Sequence, residues 1–525
     1  MNLEEFSRYA AKNYLHSAVF IDDHIFDQRP EVPVSITLPP ERKPIFHKAP
    51  KDQVEVISSS QESAESPYHP KELVASFARE GIVCALYEPP HEFTTDANSE
   101  VFKLCESPDI IILDWDFSRD QGEKALSLIT TLAKQSAETH PHHVRLISIY
   151  TSDQSLVAVA NKIADRLQAE NLHLAPEDSQ YRLRTGATRL VVMGKPIQRF
   201  GLDEIKFTVR EEDLANRLIE EFASMNSGIL PSYALHGLAG IRKNSKRILD
   251  KFTKNLDGAF ILHRKLISES EEAFNQLPEL LSEEFRAVLD DHMLSEQRTA
   301  SISASALSND NITQIDKDIA DSLPNGNIPT RAARNAAKKI REGDTISEHQ
   351  KFAALFCSRT QYTKTLRVLT FGTIVRFKNP NDDNWQFAIC LIPSCDSLRL
   401  DPEQPAHFPF WTLQKDDYPE SGGGKRSGMI LLSRAGEPIA LSASPSKAGQ
   451  RIWTTSLSVS QQNRRVVASS VEDNFVFQCF DGRSIEWVGQ LKTLHAHRIA
   501  NTIMHDLCRV GLSEAEWLRL TCSST

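Results

Sequence analysis

No two cysteines in this sequence stand in a CxxC pair. The eight cysteines, Cys84, Cys105, Cys357, Cys390, Cys395, Cys479, Cys508 and Cys522, are scattered. That argues against a zinc ribbon or a thiol-redox motif and fits a reducing, cytoplasmic setting. No apolar run approaches the ~20 residues that a membrane-spanning helix needs. Positive charge is in the minority: 60 Lys and Arg face 70 Asp and Glu, a formal charge of −10. Such a balance argues against a general binder of phosphate backbones, so nucleic acid is not an expected partner. There is no internal repeat, no helix-turn-helix with a basic recognition helix, no GGDEF-like or EAL-like motif and no catalytic triad. The opening "MNLEEFSRYAAKNYLHS" reads as an amphipathic helix with acids near its start, not as a signal peptide.

What is present is an ordinary soluble composition, 40% hydrophobic and 25% charged over 525 residues, enough for roughly two to four domains. Short apolar strands alternate with helical segments up to about residue 226. "SAVFIDD", "IVCALYEP", "DIIILDWD", "VRLISIYTSD" and "TRLVVMGKP" read as strands. "PKELVASFAREG", "SEVFKLCES", "GEKALSLITTLAKQSAE", "SLVAVANKIADRLQAE" and "REEDLANRLIEEFASM" read as helices. The pattern predicts an α/β domain: a doubly wound, five-stranded parallel sheet with helices on both faces, whose strands are apolar throughout because both faces are covered. A Pro/Ser-rich, aromatic-poor tract at about 28–69 reads as an insertion. Residues 227–298 carry helical periodicity, 299–350 read as a partly helical linker, and 351–525 read as a β-rich domain with C-terminal helices.

In an open parallel sheet, chemistry sits at the carboxyl ends of the strands. Here those ends carry Asp22 and Asp23, Asp114, Thr151 and Lys195. Clustered carboxylates repel one another, and a hard divalent cation such as Mg²⁺ relieves them. A hydroxyl and an ammonium beside them can hold two phosphoryl oxygens, which points to phosphoryl transfer onto a carboxylate. Lys195-Pro196 would fix the lysine, a cis peptide bond being one way to do so.

This set, with Gly122 eight residues after Asp114, resembles the receiver domain of two-component response regulators over roughly residues 15–225 apart from the insertion, and residues 1–226 are read as the receiver-like domain. The resemblance implies a flavodoxin-like fold and makes Asp114 the phosphoacceptor. Asp23 would bind Mg²⁺ directly, Asp22 would support it through water, and the Asp116 backbone carbonyl would complete the metal shell. Thr151 and Lys195 would bind phosphoryl oxygens. The chain would then be a phosphoacceptor signalling protein with at most intrinsic autodephosphorylation, not an enzyme. It departs from the pattern in the long insertion, in Ser118 after the phosphoacceptor where proline is usual, and in Val192, where most receivers carry an aromatic switch residue. Asp116 and Asp153 occupy positions where side chains meet attacking water. A haloacid-dehalogenase-like phosphatase would want DxD on the first strand, where this chain has DD.

More broadly, the receiver with its insertion, "LIPSCDSLRL" and "RVGLSEAEWLRL" resembles the response-regulator component of Detocs-type anti-phage defence systems. That resemblance implies a sensor histidine kinase partner, a separate receiver-bearing effector, and a role as a phosphate sink. The competing reading is a phosphorylation-controlled transcriptional or nucleic-acid-binding regulator, or a partner-recruiting scaffold. Among the other candidates, His236 is read as a packing or surface residue rather than a phosphohistidine. The run Arg242, Lys243, Lys246, Arg247, Lys251 and Lys254 is read as a solvated helix face or one meeting an acidic partner. Cys390 and Cys395 are read as buried small residues, and "SGGGKRSG" as a hairpin loop without P-loop spacing.

Overall fold

The computed structural model describes residues 2–25, 70–117, 120–138, 143–197, 199, 201–266, 273–295, 331, 332, 335, 339, 346–359, 366–378, 384–398, 400–415, 429–434, 437–443, 452–471 and 474–507. The expected insertion, most of 299–350, Ser118, "SGGGKRSG" and "RVGLSEAEWLRL" lie outside them. Contacts divide the chain into two compact units, Met1–Asn311 and Ile312–Thr525.

The first unit opens with α1 (Leu3–Tyr14). Its start is capped reciprocally: Asn2 Oδ1 accepts from Glu5 N at 2.8 Å, and Glu5 Oε2 accepts from Asn2 N at 3.0 Å. Then come β1 (Ser17–Ile21), α2 (Pro70–Arg79), β2 (Val83–Tyr87), α3 (Glu100–Glu106), β3 (Ile110–Leu113), α4 (Glu123–Glu138) and β4 (Arg145–Thr151). After these follow α5 (Leu156–Ala169), β5 (Arg182–Thr185), β6 (Thr188–Gly194), α6 (Leu202–Lys206) and α7 (Glu211–Met225). The sheet order is β2-β1-β3-β4-β6-β5. The first five in that order are parallel to one another, and counted along the chain they run 2-1-3-4-5, the order of a doubly wound sheet. All four residues of β3 are fully buried, as a central strand covered on both faces requires.

The sheet departs from the expected five parallel strands in one respect. β5 is a sixth strand, antiparallel to β6. It was hidden in the sequence because Arg182 and Arg184 alternate with Leu183, and because its link to β6 is a tight turn at Gly186 (φ 56°). This edge is bolted to α7: Arg182 Nε and Nη2 each donate to Glu221 at 2.7 Å. The other edge, β2, is less apolar in its surroundings than expected, and Val83 is 73% exposed.

α1 packs on α7 and on α8 (Ile229–Lys251), and α8 packs on α10 (Ala273–Ser295), which follows α9 (Asp257–Leu266). Leu235 of α8 joins the core under the sheet. His236 is buried beside the rings of Phe6, Tyr9 and His292, so it is a packing residue. Arg242 corrects the expected solvated face. Its guanidinium donates two hydrogen bonds to buried Asp109, at 2.9 and 3.0 Å, and lies 4.0 Å from the Tyr14 ring centroid.

The second unit holds α11 (Ile346–Cys357), β7 (Thr373–Phe377), β8 (Gln386–Cys390), β9 (Ala406–Lys415), β10 (Met429–Arg434) and β11 (Glu437–Ser442). β12 (Ile452–Leu457), β13 (Ser469–Val471), β14 (Asn474–Gln478), β15 (Ser484–Gln490) and α12 (Thr493–Leu507) complete it. Every strand pair is antiparallel. β9 is long enough to pair with β8, β11 and β12. A bridge from Leu457 to Cys479 brings β12 back beside β14, which closes β12-β9-β8-β7-β15-β14 into a small barrel. Val375, Phe377, Cys390, Phe408, Phe410 and Phe477 fill it. The alternate residues Ile374, Ile389, Trp411 and Leu413 face outward, where β10 and α12 cover them through Ile430, Leu432, Ile499 and Ile503. Cys390 is thus a core residue, its thiol pushed up to about 12 by burial, whereas Cys395 is exposed, contrary to expectation. β9, β11 and β15 are masked in the sequence pattern. Pro409 and Pro438 interrupt the first two, and a register shift between Trp487 and Gly489 breaks the alternation of the third.

Candidate functional site

Because β1, β3, β4 and β6 are parallel neighbours, their carboxyl ends share one edge of the sheet. Ile21 is in register with Leu113, so Asp22 and Asp114 leave their strands side by side, with Asp114 N donating to Ile21 O at 2.9 Å. Lys195 arrives from the end of β6. Its Nζ donates to Asp114 Oδ1 at 2.8 Å and to Asp22 Oδ2 at 3.0 Å. The backbone caps the remaining oxygens: Asp116 N donates to Asp114 Oδ2 at 2.9 Å, and His24 N to Asp22 Oδ1 at 2.9 Å. Asp22 is 3% and Asp114 9% exposed. The Asp23 side chain is 5% exposed, with His24 Nε2 3.8 Å from its Oδ1.

Burial raises the Asp114 carboxyl above its usual range, Lys195 opposes that rise and Asp22 adds to it. Burial works against the Lys195 charge, but Asp114 and Asp22 outweigh it, so the ammonium is held above its usual range. Two buried carboxylates, Asp22 and Asp114, thus share one ammonium, and Asp23 follows Asp22 in the chain. The donor set, all hard oxygens with negative charge in excess, suits a small divalent cation. Among the described residues no three acidic, histidine or cysteine side chains already converge as metal ligands; Asp22 and Asp114 are bridged by Lys195 instead.

Residues 14–199 match the family described as Response receiver domain. This part of the chain is a response receiver domain. No curated protein and no solved structure matches the chain.

Within the receiver domain, Thr151 ends β4 opposite Gly194 and is 2% exposed. Its Oγ1 accepts from Asp153 N at 3.0 Å, and its carbonyl accepts from Lys195 N at 2.7 Å. That backbone bond positions the lysine. No peptide bond among the described residues is cis, so a cis Lys195–Pro196 bond is not the means. Asp116 is exposed, its Oδ1 accepting from Gln121 N at 2.7 Å, and Asp153 is exposed, its Oδ1 accepting from Ser155 N at 2.9 Å. Gly122 has φ 87°, and a Cβ there would fall 2.3 Å from the Trp115 ring, so the loop after Asp114 needs glycine on two counts. Val192 is fully buried in β6.

Two residues near the receiver site had no sequence signal. Tyr150, fully buried, places its ring centroid 5.9 Å from Lys195 Nζ and donates from its hydroxyl to Val209 O at 2.8 Å. Arg199, 6% exposed, lies behind Thr151 and Lys195. Neither belongs to a motif, because each reaches the site through a contact distant in sequence.

Proposed function

We propose that this chain is the phosphoacceptor response regulator of a two-component phosphorelay, and that it takes a phosphoryl group from a sensor histidine kinase onto Asp114. One observation carries the reading: a buried carboxylate at a receiver strand end has one oxygen on Lys195 Nζ and the other on the Asp116 amide. In the reaction an Asp114 oxygen forms a bond to phosphorus while the kinase's phosphohistidine N–P bond breaks and the imidazole leaves. Lys195 and Thr151 would stabilise the transferring oxygens. Asp23, Asp114 and the Asp116 carbonyl would hold Mg²⁺, with Asp22 behind them. When bound, the ion neutralises charge on the transferring group.

The finer reading is that of a phosphate sink in bacterial anti-phage defence. Two features support it. The sequence resembles Detocs-type response regulators, and Val192 stands where a receiver that reports its state would carry an aromatic relay. A sink drains phosphoryl groups from its kinase and from a separate receiver-bearing effector. Overexpression of the wild type and of Asp114→Ala beside the native locus tests this, with phage protection as readout. Weaker protection with the wild type and none of that effect with the variant is expected. Stronger protection with the wild type, or equal suppression by both, would overturn the sink.

A further inference from the structure

Arg199 follows β6 and turns its guanidinium back beneath the site. Nη1 donates to Lys195 O at 2.6 Å and to Thr208 Oγ1 at 3.2 Å. Nη2 donates to Thr151 O at 3.1 Å and to Asp153 O at 2.8 Å. The packing is close enough to dictate a neighbour: a Cβ on Gly194 would lie 2.3 Å from Nη1. A buried guanidinium is therefore held by the backbones of both residues read above as phosphoryl-binding, and by a hydroxyl in the link between α6 and α7. Burial depresses its proton affinity, with Glu204, Asp153 and Tyr150 acting the other way. α6 and the link after it are each tied in once more. Glu204 Oε1 accepts from Leu156 N at 3.1 Å at the start of α5, and Val209 O accepts from the Tyr150 hydroxyl.

An arginine meeting four oxygens on three separate pieces of chain constrains their relative positions more tightly than one bond would, because its donors are fixed in one plane. If Thr151 shifts toward a phosphoryl group on Asp114, its carbonyl and that of Asp153 shift with it. The guanidinium must follow or break two bonds. Thr208 then feels the change, and Thr208 leads directly into α7, which packs on α1. Arg199 is thus a polar connection between the site and the 201–210 segment.

We propose that Arg199 is a positioning residue that couples phosphorylation of Asp114 to the 201–210 segment and the start of α7. This rests on the reading of Asp114 as phosphoacceptor. The test uses the full chain with Mg²⁺ and beryllofluoride or acetyl phosphate. Two quantities are measured on wild type, Arg199→Met and Arg199→Lys: phosphoryl uptake by intact mass, and hydrogen exchange of residues 201–225 with and without beryllofluoride. In the wild type, beryllofluoride should change exchange at 201–210. Arg199→Met should still take up the phosphoryl group and should lose most of that exchange response, the scale of a mutation along a coupling network being roughly fivefold. Arg199→Lys, which keeps the charge but not the fork, should not restore the response. Uptake with an undiminished exchange response in Arg199→Met would overturn the coupling while leaving the acceptor intact. No uptake by the wild type would overturn the acceptor, and the coupling with it. If Arg199→Met fails to fold, Thr208→Val removes the 3.2 Å link together with the hydroxyl's own 2.9 Å bond to Glu204 O, and Thr208→Ser, which keeps the hydroxyl, is its control. A reduced response there supports the coupling, and an unchanged one overturns it.

Discussion

Strand β3 carries an acid just outside each end, and the two do different work. Asp109 and Asp114 are nearly equally buried, 8% and 9% exposed. Asp109 is surrounded by donors: Arg242 with two bonds, His16 N at 2.9 Å, and Ser17 through its amide at 3.3 Å and its hydroxyl at 3.4 Å. It ties α8 to the base of β1, and its charge is answered locally. Asp114 shares the Lys195 ammonium with a second buried carboxylate, Asp22. Burial alone therefore does not mark a functional acid. The local imbalance of charge does, because a surplus of buried carboxylate is destabilising unless a bound cation or ligand uses it.

The sharpest way to break this contrast is to remove each acid in turn. Asp114→Ala should abolish phosphoryl uptake while the chain stays folded. Asp109→Ala should leave uptake intact and lower stability by about 2–3 kcal/mol, since it strands the Arg242 guanidinium beside Tyr14. Intact mass after acetyl phosphate treatment and urea denaturation read the two effects. Loss of uptake in a folded Asp109→Ala would erase the distinction.

Next in size is Lys195→Ala. It leaves Asp22 and Asp114 without the ammonium they share, and should cost about 3 kcal/mol by urea denaturation without divalent ions. Added Mg²⁺ should recover part of that loss. A variant as stable as the wild type in EDTA would mean that the carboxylates were never in surplus.

Magnesium affinity separates the two acids of β1. Asp23→Ala should abolish binding, while Asp22→Ala should weaken it by about 10–100-fold, the usual worth of a partner one step removed from the metal. Calorimetric titration giving the reverse order would exchange their roles.

The smallest effect concerns pH. A carboxyl raised in the folded state binds its proton more tightly there than in the unfolded chain, so its contribution to stability falls as pH climbs above about 3.9. For Asp114, raised by burial against the pull of Lys195, this predicts that Asp114→Asn is more stable than the wild type at pH 7. The gap should narrow toward pH 4. A gap that widens on acidification would mean that Asp114 is held below its usual range.

Much of the receiver part was legible because its strands are apolar runs and its candidate site residues follow them immediately. Asp22, Asp114, Thr151 and Lys195 needed only strand ends and the rule for parallel sheets. Gly122 was readable from its spacing, and the reason for it, the Trp115 ring, came only with the structure. β5 was not legible, since Arg182 and Arg184 serve a hairpin whose partner Glu221 lies in α7. Arg199 and Arg242 were equally opaque as sites, because an arginine's partners are set by folding across long sequence distances. In the second unit, prolines inside β9 and β11 and the irregularity at Trp487 concealed strands that the barrel requires.

The most direct test is incubation of the wild-type chain and Asp114→Ala with acetyl phosphate and Mg²⁺, followed by intact mass and mapping of the modified peptide. One added phosphoryl group on the wild type, mapped to Asp114 and absent when Mg²⁺ is chelated, is the predicted result. Equal modification of both proteins, or none of either, would contradict the assignment of Asp114 as phosphoacceptor.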